Sequence, residues 1–131
     1  MGINITPAAS PVIAADGSME VALGQGTATG TPFQVPNSGN RNNRGRSIAV
    51  KIKGHALTTP VMSAFGRINR LDDEGWTPVL DDVTSNSAAI NPPSNDDTIC
   101  STFVLGADYA DLRIDSTVVS GTMDIYVSFG D

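Results

Sequence analysis

Hydrophobic and polar positions alternate most regularly in "DYADLRIDSTVVSGTMDIYVSF", residues 108–129. Leu112 and Ile114 take turns with Asp111, Arg113 and Asp115. Beyond Ser120-Gly121, Met123, Ile125, Val127 and Phe129 take turns with Thr122, Asp124, Tyr126 and Ser128. A period of two sends one set to a core and the other to water, so the segment predicts two antiparallel strands joined as a hairpin. "RSIAVKIKG" (46–54) alternates as cleanly, with Ile48, Val50 and Ile52 inward and Ser47, Ala49, Lys51 and Lys53 outward.

Weaker strand signals lie at "SMEVALG" (18–24), around Phe33 and Val35, in "PVMSAFGRINR" (60–70), "WTPVL" (76–80) and "TICSTFVLG" (98–106). "LDDEG" reads as the turn between 60–70 and 76–80, and the faces of 60–70 stay unassigned. No window sustains a helical period. About seven or eight short antiparallel strands separated by turn signals predict an all-β domain, a β-sandwich of jelly-roll type. Residues 1–15 are apolar but aperiodic, with Pro7 and Pro11 against any ladder, and residues 1–17 read as an extended arm before a single domain at 18–131.

Composition agrees: Gly and Pro are plentiful, aromatics few, and 131 residues suffice for one core. Cys100 alone excludes an internal disulfide and a multi-cysteine zinc site, and its apolar neighbours predict a small buried side chain. No secretory leader or membrane-spanning run is visible. Gly2 with Thr6 matches a myristoylation pattern, and Asn4-Ile5-Thr6 a glycosylation pattern, both too short to carry weight.

The candidate chemistry is sparse. Asp72-Asp73-Glu74, Asp81-Asp82 and Asp96-Asp97 lack the opposed geometry of acid–base pairs and the spacing of a calcium loop, and are expected to be solvated turns. "GQGTATG" (24–30) has neither the lysine nor the helix of a phosphate loop. "NRNNRGR" (40–46) holds three arginines without aromatic interleaving, which suits a partner-facing loop better than nucleic acid. His55 reads as a turn residue, and no G-x-S-x-G elbow occurs. The expectation is a protein that is not an enzyme, with no cofactor and no metal. The formal charge of −6 is uneven: seven of eight cationic residues precede position 71, whereas twelve of fourteen acids follow it. A basic edge on one copy could meet an acidic edge on the next.

"AFGRINRLDDEGWTPV" (64–79), a small-residue strand, an acidic-glycine turn and a tryptophan, together with "ADYADLRIDSTVVSGTMDIYVSF" (107–129), resembles small β-sandwich modules of tailed-bacteriophage virions. These include capsid decoration (cement) proteins and tail-fibre or baseplate appendages. The resemblance covers about residues 48–129 and implies a structural protein of the capsid surface, synthesised in the host cytoplasm. Its partners would be the major capsid protein or another virion protein, in a symmetric homo-oligomer, a trimer before other rings, with no nucleic acid and no membrane. It further implies that Trp76 plugs the core, Tyr109 caps an edge, and Arg113 braces the outer face between Asp111 and Asp115. A tail appendage that binds another tail protein or a host glycan is the alternative, and a free carbohydrate-binding module a third. The departures from the pattern lie upstream. Attachment is therefore expected at Ile3, Ile5, Val12 and Ile13 of the arm and at Arg41, Arg44 and Arg46 of the loop.

Overall fold

In a computed structural model of the chain, which describes residues 12–13, 18–21, 27–28, 32–35, 43–58, 61–68, 75–117 and 122–130, the alternating segments become strands. They are β1 (Val12–Ile13), β2 (Ser18–Val21), β3 (Thr27–Ala28), β4 (Phe33–Gln34), β5 (Ser47–His55), β6 (Val61–Arg67), β7 (Thr77–Pro78), β8 (Thr98–Val104), β9 (Asp111–Thr117) and β10 (Thr122–Phe129). No helix occurs among the described residues. One sheet has the order β1-β2-β10-β5-β8 and the other β3-β9-β6-β7, with β4 also on β9, and every pair is antiparallel.

Without β1 and β4, eight strands remain in the orders β2-β10-β5-β8 and β3-β9-β6-β7. The chain passes from one sheet to the other at β2–β3, β3–β5, β5–β6, β7–β8, β8–β9 and β9–β10. This interleaving is the jelly-roll arrangement. Both inner faces feed one core: Ile48, Val50, Ile52, Phe103, Met123, Ile125 and Val127 from the first sheet, Phe33, Met62, Ala64, Leu112 and Ile114 from the second. Phe33 and Phe129 meet across the layers with ring centroids 6.3 Å apart, tilted by 60°. Each fully buried aliphatic contributes about 1.5–3 kcal/mol, so this double layer supplies the main stabilisation.

The faces read from β5, β9 and β10 hold, but the hairpin does not. β9 pairs with β6 and β10 with β5, in opposite sheets. Two strands with one apolar face each can pair edge to edge or stack face to face, and alternation is the same in both cases. Here they stack. β6, unassigned from sequence, turns Met62, Ala64 and Gly66 inward and Val61, Ser63, Phe65 and Arg67 outward. Two strands were unforeseen. β3 lies within "GQGTATG", where no strand signal is read, and Val12 and Ile13 form β1, paired with Glu20 and Met19. Val12 and Ile13 of the arm therefore form an edge strand of the first sheet.

Candidate partner-binding site

The attachment residues fare unequally. Ile3, Ile5 and Arg41 lie outside the described residues. Val12 and Ile13 belong to β1. Arg44 is exposed and ion-pairs with Asp82 at 3.2 Å. Arg46 is buried: its Nε donates to the Gly130 carbonyl at 3.0 Å, and its guanidinium lies 5.7 Å from the Phe129 ring centroid. It fastens the start of β5 to the end of β10.

The loop before β5 is fixed by the same logic. Gly45 adopts a left-handed φ of 89° that a side chain would resist. Asn43 is buried, its amide donates to Asp108 Oδ1 at 2.7 Å, and its side-chain nitrogen donates to the Tyr109 carbonyl at 2.8 Å. Tyr109 corrects the edge-cap expectation. It is a core residue whose ring fills the space left by Gly66 and whose hydroxyl accepts the Leu80 N–H at 3.0 Å.

Trp76 corrects the core-plug expectation. It precedes β7, stays half-buried, and is not part of the core. The guanidinium carbons of Arg67 and Arg113 lie 4.6 and 4.7 Å from its ring centroid, and Arg113 also lies 5.1 Å from Phe65. Arg67 donates to Asp111 at 2.9 Å, and Arg113 bonds both oxygens of Asp115 at 2.9 and 3.0 Å. Arg113 thus braces one of the two expected acids, and Asp111 is held by Arg67. The outward positions of β6 and β9, with Trp76 just before β7, combine into a Phe65–Arg113–Trp76–Arg67 cluster whose arginines are largely buried, with between about 0.5 and 2 kcal/mol per cation–π contact. The period-two spacing of Phe65 and Arg67 was the available signal.

The aspartates mostly hold turns. Asp81 Oδ1 accepts the amides of Val83 and Val104 at 3.1 and 3.3 Å, and Asp96 Oδ1 accepts that of Ala56 at 2.9 Å. His55 closes β5 rather than sitting in a turn, with Nε2 2.8 Å from Asp124 Oδ2. No cluster of three or more His, Cys, Asp or Glu side chains able to hold a metal occurs among the described residues.

Cys100 is exposed, against expectation. On β8 the inward positions are Ile99, Ser101 and Phe103, each opposite an inward residue of β5. "TICSTFV" carries apolar side chains at both parities, so the sequence alone does not choose the face. At the β8 end of the outer face, Ser47, Asp81, Val83, Thr102, Phe103 and Val104 line an open groove of about 300 Å³.

No protein-family model, curated protein or solved structure matches the chain.

Proposed function

We propose that the protein is a non-enzymatic structural component of a bacteriophage virion, a capsid decoration (cement) protein that binds the outer capsid surface and stabilises the shell. The observation that carries this reading is the jelly-roll strand order, an architecture that viral shell proteins share with lectins and cupins. Within that group, the engagement of the acids favours a scaffold: Asp81, Asp96 and Asp108 accept backbone amides, and Asp111 and Asp115 accept arginines. The partner is the major capsid protein or another virion protein. A symmetric ring, a trimer before others, lets several weak contacts act together. The test is genetic and physical. Particles assembled without this protein should release their genome at a lower temperature than complete ones, and adding the purified protein should restore the difference. Equal heat resistance with and without it would reject the shell-stabilising role.

Trp76 favours a second reading, a tail-fibre or baseplate appendage of the same fold that binds another tail protein or a host glycan. A half-buried indole on an outer face can stack on a sugar ring. Glycan-array binding that Trp76→Ala abolishes would support the appendage.

A further inference from the structure

We infer that β8 is the receptor edge for the N-terminal arm of a second copy, whose residues Gly2–Thr6 add to it as an extra strand. The inference rests on the oligomer in the proposed function, but not on where in a virion the oligomer sits. β8 is one of the two outermost strands of the first sheet. The Leu105 amide donates back to Arg46, whereas the Val104 carbonyl accepts from Asp82 and the Val104 amide donates to Asp81 Oδ1. In an antiparallel ladder these directions alternate, so Thr98, Cys100 and Thr102 turn their N–H and C=O groups to the open edge. Asp81 and Asp82 close that edge at Val104; among the described residues nothing closes it at Cys100 or Thr102. "TICSTFV" has none of the lysines or prolines that usually protect a bare edge. Such an edge is a template for one more strand.

The opposite edge names the occupant. β1 lies at the far side of the same sheet, and of the eleven residues before it in the sequence, 7–11 would bridge to the neighbour, reaching roughly 20 Å when extended. They carry no charged side chain, matching the uncharged Thr98, Cys100 and Thr102. In Gly2–Thr6, Ile3 and Ile5 share one parity, Asn4 and Thr6 the other. With the isoleucines on the outer face, they meet the groove, where Val83 is 76% exposed and Val104 half-exposed. A strand leaving one edge and docking on the opposite edge of a neighbour is a head-to-tail contact, the kind that closes into rings.

Cys100 is the probe. It faces outward on the strand to be paired and is the only cysteine. Ile3→Cys and Ile5→Cys chains, oxidised by molecular oxygen with a copper catalyst, should give disulfide-linked species of two or more copies. Asn4→Cys and Thr6→Cys, which point to the other face, should stay unlinked. Cys100→Pro removes an amide that β5 does not use, so the protein should keep its unfolding transition and lose its oligomer. Several results would overturn the inference: a link confined to a single chain, which would mean that each arm covers its own β8; a Cys100–Cys100 link in the unaltered protein; equal linking at both parities; or an oligomer that survives Cys100→Pro. Because linking is read on the purified protein, failure to find it on particles would sink the virion reading alone.

Discussion

At the scale of single residues, small and polar groups are critical where they touch the core. A Cβ on Gly66 would stand 2.5 Å from Tyr109 Cδ1, so Gly66→Ala should lower stability by about 1–3 kcal/mol in urea unfolding. Tyr109→Phe keeps the ring and removes the acceptor of the Leu80 amide, and should cost about 1–2 kcal/mol in the same measurement. The ion pairs divide by burial. Arg67 and Asp111 are 11% and 6% exposed, whereas Arg44 and Asp82 are 62% and 38% exposed. Asp111→Ala, which removes the carboxylate beside a guanidinium in a largely dry site, should cost about 3 kcal/mol. Asp82→Ala should cost under about 1 kcal/mol. Equal losses would mean that burial does not set the worth of these pairs. Inward positions such as Ile48, Ile125 and Leu112 were legible because one parity was apolar and the other polar. Trp76, Tyr109 and Cys100 were not: each is a single side chain whose face depends on which strand lies beside it.

At the scale of elements, the connection from β7 to β8 is held far more firmly than its polar composition suggests. Leu80 bridges Ser87, Asp81 bridges Leu105, and Leu57 bridges Asn95, while Ile90 enters the core. Asp81 is the fastening, since one carboxylate oxygen accepts from both the loop and β8. Asp81→Ala should therefore speed hydrogen exchange at the Val83 and Val104 amides and leave Ile52 and Ile125 protected. Uniform acceleration would indicate that the loop and the sandwich open together. The sequence marks Asp81-Asp82 and Asp96-Asp97 as solvated turns, and does not show that Asp81 and Asp96 accept backbone amides there. Hydrogen bonds between residues far apart in the chain leave no local pattern. The misplaced hairpin at β9–β10 has the same cause, because alternation names the buried face of a strand but not the strand beside it.

At the scale of the whole molecule, the jelly roll leaves the first sheet with β1 at one edge and β8 at the other, so the arm and its receptor lie on opposite sides. Metal has no part in this account. Chelation should leave the melting temperature unchanged, and a fall of several degrees restored by calcium would contradict it. The central claim is that the protein sits on the outside of a phage capsid. The most direct measurement is electron microscopy of intact particles labelled with an antibody to this chain. Label should be distributed over the capsid surface; label confined to the tail, or absent from particles altogether, would rule that position out.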